Sequence, residues 1–225
     1  WQRYQDCVRQ RAENVPVPYI CGQQEFFGRP FKVTPDVLIP RPDTETLIEF
    51  VLSAYPKDKS FTLLDMGTGS GCIAVTLALE NPLFKVCATD VSEKALEIAS
   101  QNARNLKADV NFYLGSWFEA IPQGHIFDII VSNPPYIHRD DEHLKNLTYE
   151  PILALTDGFD GLKCIEHLIS HAPSFLNSNG RLVLEHGWDQ GAAVRKIFED
   201  QDCWNAIQTL KDLGGNDRVT TACLR

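Results

Sequence analysis

The sequence lacks the features that mark several large classes of protein. It has no excess of basic residues: 21 Lys and Arg stand against 30 Asp and Glu, a formal charge of −9. Phosphate neutralisation needs clustered cations, so no direct nucleic-acid partner is expected. No apolar run approaches the ~20 residues of a membrane span and no signal peptide is visible, so no membrane association is expected either. No two of the seven cysteines (Cys7, Cys21, Cys72, Cys87, Cys164, Cys203, Cys223) stand at C-x-x-C spacing. That removes a zinc knuckle and a thioredoxin-type pair, and scattered free thiols suit a reducing compartment, most simply the cytoplasm. A Gly-x-Ser-x-Gly elbow for hydrolysis is missing, as are internal repeats and low-complexity segments. His167 and His171 stand four apart on a predicted helix but lack the zincin glutamate and a third ligand, so no metal is expected.

What is present is an ordinary globular composition, 44% hydrophobic and 23% charged over 225 residues. That suits one generous domain, or one domain with a small appendage. Residues 1–14 are polar with helical leanings, stopped by Pro16 and Pro18. Residues 19–34 read as a hairpin turning at Gly28-Arg29-Pro30. Pro42 and Asp43 suit a helix start, followed by the apolar stripe Leu47, Ile48, Val51 and Leu52. From Phe61 onward the regime changes. Strands are expected over 61–66, 84–89, 110–114, 126–132 and 181–186. Helices are expected after the first glycine loop, over 92–102, near 161–175 and over 190–200. Strand-like stretches at 205–212 and 217–224 flank Gly214-Gly215-Asn216-Asp217, a hairpin signal. The alternation predicts an α/β fold, a doubly wound parallel sheet with an antiparallel C-terminal edge.

The first of these strands runs into Asp65-Met66-Gly67-Thr68-Gly69-Ser70-Gly71. In open α/β sheets, ligands bind beyond the carboxyl ends of the strands, where glycines admit a bulky ligand and a helix N-terminus offers free N–H groups. A plain tight turn would use glycines too. The dinucleotide fingerprint is broken, because its sixth position is Cys72. The charge of Asp65 is expected to oppose a pyrophosphate and to suit a cation. S-adenosylmethionine, a sulfonium with an amino-acid tail, fits that description. Asp90 ends the next strand about twenty residues on, where a carboxylate can accept both ribose hydroxyls. Ser92 already serves as the helix N-cap.

The fourth strand runs into Asn133-Pro134-Pro135-Tyr136. Two prolines fix φ and remove two N–H donors, so the turn is stiff and presents carbonyls. A planar NH₂ group that must attack an electrophilic methyl has two hydrogens to be held. The Asn133 side-chain oxygen and the Pro134 carbonyl can take one each, and Tyr136 offers a flat face.

Asp-x-Gly-x-Gly-x-Gly followed by Asn-Pro-Pro-Tyr is similar to the seven-stranded Rossmann-like methyltransferases of planar amines and amides. Three further strings, Ile39-Pro40-Arg41-Pro42-Asp43-Thr44-Glu45, Leu184-Glu185-His186-Gly187-Trp188 and Asn216-Asp217-Arg218-Val219, narrow the likeness. Together they resemble the HemK/PrmC family, the glutamine methyltransferases of class I peptide chain release factors. The resemblance runs from about residue 19 to the C-terminus.

It implies that Gly67, Thr68, Gly69, Ser70, Gly71, Asp90, Trp117 and Asn133 contact S-adenosylmethionine, with S-adenosylhomocysteine as product. It also implies that Asn133, Pro134, Pro135 and Tyr136 hold the glutamine of a Gly-Gly-Gln loop, with Asn133, Pro134 and Tyr136 catalytic. Alone, Trp117 reads as a half-buried aromatic. Arg41 and Glu45 are either a helix-start ion pair or cavity walls, with the resemblance favouring walls. Glu185 and His186 are candidates to support the site, and Glu150 to help close it. Residues 1–36 are expected to be the remnant of an N-terminal helical domain plus a hairpin linker, and 37–225 the methyltransferase domain. The chain opens on Trp1 rather than Met, so a removed upstream segment is expected, which for a mitochondrial homologue would be a presequence. A monomer is expected. The rival acceptors are a ribosomal-protein glutamine and the exocyclic amine of adenine.

Overall fold

The computed structural model describes residues 1–225. Two helices, α1 (Gln2–Ala12) and α2 (Val17–Cys21), come first, parted at Pro16. They lead into an antiparallel ribbon, β1 (Gln23–Phe26) and β2 (Arg29–Lys32). Its turn is Phe27-Gly28, with φ of +50° and +72°, one step before the expected Gly28-Arg29-Pro30. A two-residue hairpin turn needs positive φ at both central positions, which the proline ring forbids, so Arg29 and Pro30 fall into β2. Phe26 and Phe31 meet edge to face at 6.0 Å and are buried with Leu47, Ile48 and Val51. Those aliphatics line α3 (Glu45–Ala54), which follows a 3₁₀ turn at Pro42–Thr44.

The rest of the chain supplies a seven-stranded sheet. Its strands are β3 (Phe61–Met66), β4 (Phe84–Asp90), β5 (Val110–Leu114), β6 (Phe127–Ser132), β7 (Leu176–Glu185), β8 (Trp204–Lys211) and β9 (Asp217–Leu224). Their spatial order is β5-β4-β3-β6-β7-β9-β8. The first five run parallel, while β9 is antiparallel to both β7 and β8. This is the expected Rossmann-like sheet with its antiparallel C-terminal edge. The crossover helices include α4 (Cys72–Glu80), α5 (Glu93–Leu106), α6 (Lys163–His171) and α7 (Gly191–Glu199).

Parallel strands covered by helices on both faces must be apolar at every central position. Leu63, Ile129, Val131 and Val183 join the core under α3 and α4, while Leu64, Ile130, Leu182 and Leu184 join the core under α6 and α7. Two expectations shift. Pro173 cuts α6 at His171 and turns the next residues into a 3₁₀ segment, and β7 begins at Leu176 rather than 181. The polar run Asn177-Ser178-Asn179-Gly180 lies between the pairs Phe127–Leu176 and Ile129–Arg181, a bulge that carries β7 past β6 without partners there.

The order of strands reverses at β3. Met66 pairs with Thr89 on one side and Ser132 on the other, and Ser132 pairs with Leu184. The segments starting at Gly67, Asp90, Asn133 and Glu185 therefore leave one sheet edge at one level, at the switch point where α/β sheets bind ligands.

Candidate active site

The glycine loop is lashed to the neighbouring strand. The Gly67 and Thr68 N–H groups both donate to the Thr89 carbonyl, at 3.0 and 2.9 Å, and the Gly69 N–H donates to Asp90 Oδ2 at 2.9 Å. Gly71 has φ of +81°, and a Cβ there would stand 3.0 Å from Ala99 Cβ on α5. Its role is close packing of loop on helix, and it lies outside the cavity lining.

Asp65 does not face a ligand, contrary to the expectation for its charge. It is fully buried beneath the loop, accepting from the Thr68 hydroxyl at 2.6 Å and the Ala74 N–H at 3.2 Å. Burial drives its pKa up to about 7 against those two bonds. Asp65 shapes the loop, and the expected charge selection by Asp65 does not follow.

Asp90 does line the cavity. Its Oδ1 accepts from the Ser92 N–H at 2.9 Å and its Oδ2 from Gly69. Burial raises its pKa, opposed by those bonds. Each carboxylate oxygen keeps capacity for a further donor. The cap of α5 is made by Ser92 Oγ, which accepts from the Ala95 N–H at 3.2 Å.

The cavity holds about 390 Å³, and its walls include Gly67 to Ser70, Asp90, Trp117 and Asn133 to Pro135. That volume suits a small-molecule ligand. Trp117 sits at φ +46°, a conformation bulky residues seldom adopt and that functional sites do retain. His167 and His171 stack at 4.1 Å, and the His167 ring stands 5.6 Å from Trp117. Burial and the neighbouring His171 hold the His167 pKa low, so this pair props the tryptophan.

Asn133 Nδ2 donates to Thr44 Oγ1 at 3.4 Å. No protein group donates to the Asn133 side-chain oxygen or the Pro134 carbonyl, the two acceptors the sequence singles out. Tyr136 is placed differently from the flat face expected of it. It lies outside the cavity lining, its hydroxyl donates to Glu185 Oε1 at 3.2 Å, and its carbonyl accepts from Gln190 Nε2 at 3.0 Å. Burial, then the Glu185 charge, pushes its pKa up.

The three further strings of the resemblance meet at this turn, through Thr44, Glu185 and Arg218. Glu185 is fully buried, and desolvation raises its pKa to about 7 against the Thr44 hydroxyl and the Arg218 charge. Arg218 reaches Asp212 Oδ2 through Nε and Nη2 at 3.1 Å, and Asp43 at 3.4 Å. His186, its pKa lowered by burial, bonds Thr220 Oγ1 at 2.8 Å and supports the sheet edge. Arg41 lines the cavity and pairs with buried Glu150, which also accepts from the Ile39 N–H at 3.0 Å. Glu45 is not a cavity wall, since it accepts from the Phe27 N–H at 2.9 Å and ties down the ribbon. Thr44 and Cys164 also line the cavity. Neither was legible: a threonine before a helix reads as a cap, and Cys164 sits in an ordinary apolar run.

Comparison with known proteins agrees with this layout. Residues 42–156 match the family model described as the methyltransferase small domain. A release factor glutamine methyltransferase of Neisseria gonorrhoeae is 50% identical, over 96% of this chain and 82% of that protein. Proteins of the same name from Coxiella burnetii and Bacillus subtilis are each 44% identical, over 96% and 99% of this chain and 77% and 80% of theirs. Among solved structures, a Thermus thermophilus 16S rRNA N2 G1207 methyltransferase in complex with AdoMet and guanosine has a TM-score of 0.67 at 19% identity, covering 90% of this chain and 50% of that one. A Pyrococcus furiosus methyltransferase has a TM-score of 0.65 at 17% identity, covering 100% and 98%. At such identities the structural likeness is one of fold.

Proposed function

We propose, from the premise that the chain belongs to the release factor glutamine methyltransferase family, that it methylates the side-chain amide nitrogen of a release-factor glutamine, the one in a Gly-Gly-Gln loop. The observation that carries this reading is the pair of unclaimed acceptors, Asn133 Oδ1 and Pro134 O, on residues walling the same cavity as the glycine loop and Asp90. The relatives' names select this acceptor over a ribosomal-protein glutamine or an adenine amine.

The residues present fit S-adenosylmethionine. Asp90 keeps acceptor capacity for ribose hydroxyls, Gly67 to Ser70 give close backbone approach, and Trp117 adds an apolar wall. When bound, the cofactor supplies an electrophilic methyl group on a sulfonium. An amide nitrogen is a poor nucleophile because its lone pair is delocalised. Asn133 Oδ1 and Pro134 O each accept one of its hydrogens, hold the amide plane and favour the positive charge that develops on nitrogen. With the cofactor bound, the nitrogen would form its bond to the methyl as the methyl–sulfur bond breaks, and would then lose a proton to water, with S-adenosylhomocysteine as the other product. Tyr136 anchors the turn from beneath. Residues 37–225 form the methyltransferase domain, and residues 1–36 supply the exposed helix α1 and the ribbon that leads into it. The reading needs neither a metal nor a second copy of the chain, and its setting is the cytoplasm.

The test is mass spectrometry on a purified class I release factor incubated with this chain and S-adenosylmethionine. One added methyl, on the Gly-Gly-Gln glutamine and lost with Asn133→Ala, is expected. No methyl, or a methyl on another residue, would overturn the reading.

A further inference from the structure

An asparagine amide presents either an oxygen or an NH₂ group, depending on a half-turn of its last torsion. Only the oxygen can accept a hydrogen from an acceptor amide, so the site works only if that half-turn is fixed. Asn133 Nδ2 donates to Thr44 Oγ1. A hydroxyl that accepts there must send its own hydrogen to another acceptor. Thr44 is itself buried, and it stands beside Glu185. Glu185 Oε1 takes the Tyr136 hydroxyl, while Oε2 is buried with no partner in good hydrogen-bond geometry. The Thr44 hydroxyl hydrogen and Glu185 Oε2 are thus a buried donor and a buried acceptor on neighbouring residues, each without another partner.

We propose that Glu185 and Thr44 form a relay that sets the polarity of Asn133. In its ionised form Glu185 accepts the Thr44 hydrogen, which commits the Thr44 oxygen to the Asn133 NH₂ group and leaves Asn133 Oδ1 for the acceptor amide. The choice of a carboxylate follows from donor counting. An ionised carboxylate offers acceptors on both oxygens and no donor, so it satisfies Tyr136 and Thr44 in one sense only. A glutamine in its place would offer an NH₂ group to one of them and could reverse the chain of bonds. Arg218 supplies the compensating positive charge from its place between Asp43 and Asp212. Thr44 and Glu185 are positioning residues, acting through Asn133, and the inference rests on the methyl-transfer reading above.

The experiment compares kcat, KM and S-adenosylmethionine affinity across a short series. Thr44→Val removes the hydroxyl at nearly constant volume and is expected to lower kcat about 10- to 100-fold, with cofactor affinity and KM within about threefold. Thr44→Ser keeps the hydroxyl and is expected to stay within about threefold of the native kcat. In an Asn133→Ala background the Thr44→Val change is expected to add less than about twofold, because its route of action is gone. Should Thr44→Val fail to fold, Glu185→Gln, which keeps the side-chain shape, is expected to show the same kcat loss and the same absence of effect beside Asn133→Ala. A native kcat in Thr44→Val, or an undiminished penalty in the Asn133→Ala background, would overturn the relay. If the native chain methylates the release factor and Asn133→Ala does not, while Thr44→Val does so at full rate, the relay alone fails. If the native chain transfers no methyl, the underlying reading fails instead.

Discussion

Two loops leave the sheet at the same level, one after β3 and one after β6, and they are built on opposite principles. The glycine loop is shaped by its own main chain, with N–H groups of Gly67, Thr68 and Gly69 donating to β4 and Asp90. The Asn-Pro-Pro-Tyr turn has few donors to spend. Proline rings fix its shape, and its orientation comes from side chains far away in sequence, Thr44, Glu185 and Gln190. Each loop rests on a buried carboxyl whose pKa is raised to about 7, Asp65 under the first and Glu185 under the second. Asp65 accepts from the Thr68 hydroxyl and the Ala74 N–H, and Glu185 accepts from the Tyr136 hydroxyl at the end of its turn. The difference teaches a division of labour. On the proposed reading, the first loop is a backbone cradle for the cofactor, and the second a rigid pair of acceptors for the substrate amide.

The sharpest way to break this comparison is Asn133→Ala. It should lower kcat about 10²- to 10³-fold while changing S-adenosylmethionine affinity by less than about threefold, read by single-turnover transfer and equilibrium binding. A parallel fall in both would erase the division. Asp90→Ala is the mirror case. Losing charge-assisted bonds of about 1.5–3 kcal/mol should weaken cofactor binding roughly 10- to 100-fold, with kcat at saturating cofactor held within about threefold. Gly71→Ala probes the packing side of the loop. A Cβ 3.0 Å from Ala99, at φ +81°, should cost about 1–3 kcal/mol in urea unfolding, and an unchanged midpoint would show that the loop and α5 can part freely.

The last effect is spread over pH and concerns Asp65. Its folded-state pKa is raised above the unfolded carboxylate value, so folding takes up a proton between the two. The stability it contributes is present at low pH and lost as pH rises toward about 7. From pH 5 to 8 the native chain should lose stability relative to Asp65→Asn, by at most about 1.4 kcal/mol per pH unit. A relative gain over that range would mean that Asp65 is not held as a buried acceptor.

Much of this was legible in the sequence where the signal is local. The runs at 61–66, 84–89 and 110–114 carry their strand character in consecutive residues, and Ser92 announces its helix. The two ligand-edge loops were legible because glycine and proline punctuate the chain directly. Long-range contacts were not. Thr44 and Asn133 lie 89 residues apart and meet only because α3 packs against the sheet edge. Asp65 looked like a charge facing a ligand, and only burial reveals it as a brace. Tyr136 looked like a platform, since no local pattern tells a ring that lines a cavity from one that anchors a turn. The segment 176–180 fell outside the expected strand because a bulge leaves no period to read.

The most direct test of the two-loop account is a crystal structure of this chain with S-adenosylhomocysteine and a Gly-Gly-Gln peptide. The account predicts the ribose hydroxyls on Asp90 and the glutamine amide nitrogen within hydrogen-bond distance of both Asn133 Oδ1 and Pro134 O. A glutamine amide held by the glycine loop, or an Asn133 turned with its NH₂ group toward the peptide, would contradict it.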